Sequence, residues 1–130
     1  MTDPAEIKAL LNAAAQDEAI AAKHGAAGES RQAISRAYYA SFYYVTAVLR
    51  TRDLAFKSHR AAIAAFNREF VHGGVFPRED YTAVKNAFGL RHEADYRLIT
   101  HGETVVTETL AAIKALGQHA RDYLKPYVEA

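Results

Sequence analysis

An arginine and an aspartate stand where an apolar helix stripe should continue. In the fourth predicted helix, Val84 and Phe88 mark one face at a spacing of four residues. Arg91 and Asp95 continue that face, and they can pair with each other at i, i+4. Charges at the end of a buried stripe need partners or a water-filled cleft, because a buried charge without a partner is strongly destabilising. The pattern therefore predicts a polar cluster, which the hydroxyl of Tyr96 can join.

A histidine occupies a comparable place in the third predicted helix. His59 shares a helix face with Ile63 and Phe66, so a group that titrates near neutral pH is directed at the interior. In the second predicted helix, Arg36 lies about one turn before Tyr39. Taken singly, each of these polar residues is explained equally well by a structural ion pair or by a hydrogen-bonded histidine at a helix start. The sharper hypothesis is that five residues converge on one site: Arg36, His59, Arg91, Asp95 and Tyr96.

The sequence predicts neither a metal centre nor a cofactor. The chain has no Cys, which excludes thiolate zinc sites, Cys nucleophiles and Cys-ligated clusters. Its six His residues form no HExxH pattern and no clean i, i+4 pair with a carboxylate. P-loops and dinucleotide fingerprints are absent as well. Any chemistry must therefore rest on Arg, His, Asp and Tyr.

The charge of the chain is small in total but unevenly distributed. The formal net charge of +1 argues against a general polyanion binder. Residues 31–60 nevertheless hold six basic residues and one acidic residue, among several tyrosines, whereas residues 1–30 hold two basic and five acidic residues. A basic, aromatic segment suits phosphate contacts and base stacking. The alternative is a solvated helix face whose arginines pair with the acidic first helix.

Five helices are expected to position these groups. The chain has 130 residues with many Ala, only three Pro and no alternating strand pattern, so we expect one all-α domain over residues 1–130. Neither a signal peptide nor a run of about 20 apolar residues is visible, and the expected location is the cytoplasm. The second and fifth helices are long enough to be antiparallel neighbours in an up-down bundle. Caps and breakers predict helices at about 3–26, 29–52, 58–72, 77–96 and 100–124.

The second predicted helix is aromatic on nearly every side. Tyr38, Tyr39, Phe42, Tyr43 and Tyr44 fall within two turns and point almost all the way round the axis. Such a helix must be buried on more than one side. A homodimer partner would supply a second covering surface, whereas in a monomer the other four helices would wrap around it.

Three motifs occur in order between residues 31 and 96. The first is SRAYYASF at residues 35–42, and the second is Lys57-Ser58-His59 followed by Phe66 and Phe70-Val71. The third is RHEADY at residues 91–96. Together they resemble the SRAYYAxF, KxH…F…FV and RxxADY motifs of the HEPN superfamily, in its branch of small stand-alone prokaryotic proteins.

The resemblance implies a bundle of four or five helices, commonly a homodimer. It also implies a minimal nucleotidyltransferase as partner, in a pair that resembles a toxin–antitoxin system. Many HEPN proteins are metal-independent ribonucleases that use an Arg and a His separated by four to six residues. This chain departs from that spacing, because the corresponding positions after Arg91 are Tyr96, Arg97 and Leu98.

Three functions stay open on this basis. The first is a non-enzymatic dimer that binds nucleotide or RNA, with Arg36, Tyr39 and Tyr96 as binding groups. The second is a ribonuclease toxin with a rearranged site. Cleavage of RNA without a metal needs proton transfer and a cation near the phosphorane, which His59 and Arg91 would supply while Asp95 orients a partner. The third is an inert structural dimer.

Overall fold

The computed structural model describes residues 3–129, which form five α-helices and no strand. This confirms the predicted all-α bundle. A π-helical turn, Asn67–Val71, directly follows the third helix. The helices are α1 (Pro4–Ala26), α2 (Ser30–Arg50), α3 (His59–Phe66), α4 (Arg78–Tyr96) and α5 (Glu103–Val128).

Two predicted helix starts are confirmed by their caps. The Asp3 carboxylate accepts a hydrogen bond from the backbone N–H of Ala5 at 3.0 Å, and Pro4 occupies the first helical position, where its missing N–H costs nothing. The Ser58 hydroxyl accepts from the N–H of Ala61 at 3.2 Å and starts α3. That cap places His59 at the first residue of α3.

The fifth helix begins three residues after its predicted start and ends four residues after its predicted end. The expected capping pair, Thr100 and Glu103, does not form, because α5 begins at Glu103 and Gly102 takes the cap position without a side-chain bond. At the other end α5 continues through Pro126 to Val128. A proline within the last turn removes only one intrahelical hydrogen bond, and the rings of Tyr123 and Tyr127 remain in contact across it at 5.6 Å.

The predicted antiparallel arrangement of α2 and α5 is also wrong. The hydroxyls of Thr51 and Tyr123, near the ends of both helices, are 2.9 Å apart, so α2 and α5 run in the same direction. The up-down alternation itself holds for α1, α2, α4 and α5. Because α3 is only eight residues long and lies within the connection from α2 to α4, it does not add a reversal. The matching positions along α2 and α5 are Ala33 with Val106, Tyr44 with Gly117, and Thr51 with Tyr123.

The second helix lies at the centre of the bundle and packs against each of the other four. Tyr38 and Tyr44 are fully buried, whereas Tyr39, Phe42 and Tyr43 are half-buried against the core. The chain's own helices therefore cover much of the aromatic surface, as in the monomer alternative. Burial of α2 is not by itself a reason for a homodimer.

Helices α4 and α5 are joined by a buried carboxylate. The side chain of Asp80 is 3% exposed and lies 2.7 Å from Nδ1 of His119. Burial raises the pKa of Asp80, and the bond to His119 opposes that rise.

Within residues 3–129, none of the helices has the length and apolar character needed to cross a bilayer.

Candidate functional site

A tyrosine and a histidine form the centre of the candidate site. The hydroxyl of Tyr38, on α2, lies 2.7 Å from Nδ1 of His59, the first residue of α3. The ring of Phe42, one turn after Tyr38, stacks on the imidazole with centroids 4.0 Å apart. The ring of Tyr39 meets the same imidazole edge to face at 6.4 Å. One face of α2 therefore fixes the position of the histidine ring.

The roles of Tyr38 and His59 in their hydrogen bond depend on the tautomer of the imidazole. Tyr38 is 0% exposed, and its hydroxyl makes no other hydrogen bond within the described residues. A buried hydroxyl that has one acceptor within reach donates its proton to that acceptor. Within the described residues His59 is the hydroxyl's sole hydrogen-bond partner, so we expect Tyr38 to donate to Nδ1, which would leave the proton of the neutral imidazole on Nε2. In this form His59 can donate a hydrogen bond from Nε2.

The arginine of the predicted polar cluster lies beside this pair. Nε of Arg91 donates to Oδ2 of Asp95 at 3.1 Å, which is the i, i+4 pair expected from the sequence. The guanidinium carbon is 5.6 Å from the ring centroid of Tyr38 and 5.0 Å from that of Tyr39. The Arg91 side chain is 18% exposed. The guanidinium is thus held in one orientation by a carboxylate and two aromatic faces, and it still reaches solvent.

Burial and the arginine charge both act on the central pair. Burial lowers the pKa of His59, and the positive charge of Arg91 lowers it further, so the neutral imidazole is favoured. Burial also raises the pKa of Tyr38 above its usual value, with Arg91 acting in the opposite direction. The hydroxyl of Tyr38 is therefore protonated at neutral pH.

Arg36, the second arginine predicted for the site, contacts both the cluster and helix α1. The guanidinium of Arg36 lies 5.2 Å from the ring centroid of Tyr39, on the α2 side of the cluster. It also bonds Oδ1 of Asp17 on α1 at 3.2 Å, and Arg50 pairs with Glu6 at 2.8 Å. These two pairs are the ones expected if the basic second helix is partly neutralised by the acidic first helix.

A polar cleft of about 230 Å³ adjoins the cluster. Arg31, at its edge, donates from Nε to the carbonyl oxygen of Ala94 at 3.0 Å, which ties the start of α2 to the end of α4. The larger cavities of the fold lie elsewhere, one of about 500 Å³ between α1 and α5. We place the candidate site beside this smaller cleft because Arg36 and Asp95 line it, and these two residues contact Tyr39 and Arg91 of the cluster. Its lining residues are His24, Arg31, Gln32, Ser35, Arg36 and Asp95.

The five residues expected to converge all lie around Tyr38 and Tyr39, and Tyr39 was itself singled out as a binding group. His59, Arg91 and Asp95 form the inner part, Arg36 stands between Tyr39 and Asp17, and Tyr96 is 65% exposed at the rim. The ring of Tyr96 lies 5.8 Å from the Arg91 guanidinium. Sequence reasoning missed the residue at the centre, Tyr38, which the sequence pattern distinguishes only as one of the aromatic residues of the second helix. Arg31 was counted only as part of the basic segment. No group of three or more His, Asp or Glu side chains arranged to hold a metal occurs in the described part of the chain.

Comparisons with known proteins agree with the motifs. The family model described as "HEPN domain" matches residues 7–121. A UPF0332 protein of Thermotoga maritima is 42% identical over 64 residues, which cover 49% of this chain and 48% of the relative. Two proteins of Methanocaldococcus jannaschii, both named "putative toxin", are 34% identical over 64 residues and 36% identical over 66 residues. These segments cover 49% and 51% of this chain, and 44% and 49% of the relatives.

The chain thus spans about half the length of the curated relatives it matches. The family match is broader, because it includes most of α1, all of α2, α3 and α4, and most of α5. It also contains every residue of the Tyr38–His59–Arg91 cluster. The chain belongs to the HEPN domain family.

Proposed function

We propose that this HEPN domain binds RNA or a nucleotide in the cleft beside Arg91, as the toxin-like component of a two-protein system. The observation that carries the proposal is the placement of Arg91 between Asp95 and the rings of Tyr38 and Tyr39, beside His59. The two relatives named "putative toxin" support the toxin-like role.

The chemistry of the cleft suits a phosphate-bearing ligand. A guanidinium presents several N–H donors in a fixed plane, and Asp95 occupies Nε of Arg91, which leaves the terminal nitrogens for an anion. Tyr96 at the rim and the half-buried ring of Tyr39 provide aromatic surfaces on which a base can stack. The Nε2 proton of neutral His59 adds a hydrogen-bond donor at the same place.

Binding without cleavage is favoured by the tautomer of His59. A general base needs a free lone pair at the nitrogen that faces the substrate. If Tyr38 donates to Nδ1, that lone pair is engaged and Nε2 carries the proton. In that tautomer the domain has the cation and the aromatic groups for binding, and His59 offers no free lone pair to accept the proton of a 2′-hydroxyl.

The proposal is tested with a labelled single-stranded RNA at low salt and with a chelator present. We expect the wild-type chain to retard the RNA on a native gel and to leave it full length. Arg91→Ala should weaken retardation by about tenfold or more, since a charge-assisted phosphate contact is lost. Arg78→Ala is the matched control, because Arg78 is an exposed arginine at the other end of α4. Equal loss in both variants would contradict a local site.

A ribonuclease toxin is the second candidate. It is supported by the names of the two relatives and by the charge of Arg91 acting on His59. It requires the opposite tautomer, in which Nδ1–H donates to Tyr38 and Nε2 is the base. Cleavage of the RNA in the presence of the chelator, together with growth arrest that His59→Ala or Arg91→Ala abolishes in folded protein, would establish this candidate in place of the first.

The proposed partners are a second copy of the chain and a minimal nucleotidyltransferase. Both follow from the family resemblance, and each is tested independently of RNA binding. Light scattering after size exclusion should give twice the chain mass for the homodimer. Co-expression with the product of the neighbouring reading frame, followed by affinity purification of one component, should recover the other if the pair forms.

A further inference from the structure

A glycine sits in the middle of α4 with nothing above it. Gly89 is exposed, and a Cβ added there would meet no atom within 4 Å. Glycine disfavours a helix interior because of its backbone freedom, so alanine would serve the isolated helix better. At Gly117 of α5 the absence of a side chain is explained by the close ring of Tyr44. At Gly89 no group within the described residues explains the absence of a side chain. The close approach of a backbone from another molecule would explain it.

Opposite charges flank Gly89 at equal distances along the helix. Lys85 lies four residues before it, and Glu93 lies four residues after it. The ammonium of Lys85 rests 5.9 Å from the ring centroid of Tyr81 and pairs with no carboxylate within residues 3–129. Glu93 uses Oε1 for a 3.6 Å contact with His101, and its other oxygen can accept from a second cation.

This spacing is self-complementary in one orientation. If two copies of α4 cross antiparallel at Gly89, Lys85 of each copy faces Glu93 of the other, and Asn86 faces His92 by the same rule. A parallel crossing would place Lys85 against Lys85 and Glu93 against Glu93, which is repulsive. A two-fold axis through Gly89 therefore forms two ion pairs from a single sequence.

The surface on either side of α4 can receive a second helix. A groove of about 410 Å³ lies between α3 and α4, and one of about 400 Å³ lies between α4 and α5. Both grooves have mixed apolar and polar linings that include Phe88 in the first and Leu90 in the second. Side chains from a helix laid along α4 would enter these grooves as ridges enter grooves in helix packing.

We propose that the outer face of α4, defined by Lys85, Asn86, Gly89, His92 and Glu93, is the surface on which two copies of this chain pair antiparallel. The inference rests on the homodimer of the proposed function and specifies its interface. The same helix carries Arg91 and Asp95 on its inner side, away from the proposed interface. RNA binding does not enter the test.

The test is a charge exchange followed by analytical ultracentrifugation of the full chain. Lys85→Glu and Glu93→Lys should each weaken the dimer by at least about tenfold, because every dimer then contains two like-charged contacts. A mixture of the two single variants should dimerise again, since one chain now carries two acidic groups and the other carries two basic groups. Circular dichroism and melting temperature monitor folding. A dimer that is unchanged in both single variants, or a mixture that stays monomeric, would overturn the interface.

A cross-link tests the register directly. The chain has no Cys, so Gly89→Cys introduces a single thiol, and an antiparallel crossing at this residue brings the two thiols within disulfide range. Mild oxidation should convert Gly89→Cys to a covalent dimer, whereas Lys114→Cys, exposed on α5, should remain a monomer on a denaturing gel. Cross-linking at Lys114 and not at Gly89 would contradict the proposal. A wild-type chain that sediments as a monomer overturns both the interface and the homodimer, and a stable dimer without the Gly89 cross-link overturns the interface alone.

Discussion

At the scale of single residues, the hydrogen bond to Tyr38 should set the tautomer of His59. If the buried hydroxyl donates to Nδ1, which lies 2.7 Å away, the neutral imidazole carries its proton on Nε2. We expect ¹⁵N shifts of His59 above its pKa to show that tautomer, and Tyr38→Phe to give a mixture of both tautomers. Tyr39→Phe is the control, since Tyr39 meets the imidazole only through its ring. An Nδ1–H tautomer in the wild type would favour the ribonuclease candidate.

The pKa of His59 should respond to the positive charge of Arg91. Burial lowers this pKa, and the Arg91 charge lowers it further. An NMR titration should therefore place the pKa of His59 below the ordinary value of about 6.5. Arg91→Ala should raise it, though not to the ordinary value, because the burial remains. Arg78→Ala should leave it unchanged, and an identical shift in both variants would point to a general effect of charge.

The lowered pKa of His59 also predicts how the free energy of unfolding changes with pH. The pKa of His59 is lower in the folded chain than in the unfolded chain, so the unfolded chain binds more protons as the pH falls through about 6.5. The free energy of unfolding contributed by His59 is therefore fully present above that pH and is lost under acid. Urea titrations at several pH values should show this decline, and His59→Gln should reduce it. A decline of equal size in His59→Gln would assign it to other groups.

The sequence predicted which residues lie near the site better than it predicted how they are arranged. Arg91 and Asp95 could be predicted because they interrupt an apolar stripe at helical spacing. His59 could be predicted because it shares a helix face with core residues. The role of Tyr38 could not be predicted, because the sequence pattern of a tyrosine on an apolar stripe is the same whether or not its hydroxyl makes a hydrogen bond. The pairing of Arg36 with Asp17 depends on how α1 crosses α2, which helical periodicity does not contain.

At the scale of helices, α2 and α5 meet so closely at Gly117 that no side chain fits there. A Cβ at this position would lie 2.8 Å from the ring of Tyr44, which is fully buried and bonded to Glu18. Gly117→Ala should therefore lower the free energy of unfolding by about 1–3 kcal/mol, although alanine is the better helix former. Urea denaturation measures the change. In a Tyr44→Leu background the same substitution should cost much less, and an equal cost in both backgrounds would contradict the contact.

Helix boundaries were predictable where a local capping group decides them. Asp3 and Ser58 are examples, because their side chains bond backbone N–H groups within the next three residues. The start of α5 was not predictable, since Gly102 occupies the cap position and has no side chain that could signal a cap. The common direction of α2 and α5 follows from how short α3 is, and the sequence pattern left that length open because the π-helical turn Asn67–Val71 continues the same stripe.

At the scale of the whole molecule, the proposed binding site is a local feature of a near-neutral chain. The acidic α1 neutralises part of the basic α2 through Asp17–Arg36 and Glu6–Arg50. Arg91 pairs with Asp95 on the same helix and stays partly exposed beside the cleft that Asp95 helps to line. Few phosphates can be contacted by such a surface, so the affinity for RNA should depend on salt only modestly.

The most direct test of the account is the salt dependence of RNA affinity with and without Arg91. Fluorescence anisotropy of a labelled single-stranded RNA gives the dissociation constant at a series of salt concentrations. We expect Arg91→Ala to weaken binding and to flatten the plot of log affinity against log salt by about 0.7, the contribution of one phosphate contact on a single strand. A wild-type chain that fails to bind, or an Arg91→Ala variant with the affinity and slope of the wild type, would contradict a phosphate site at Arg91.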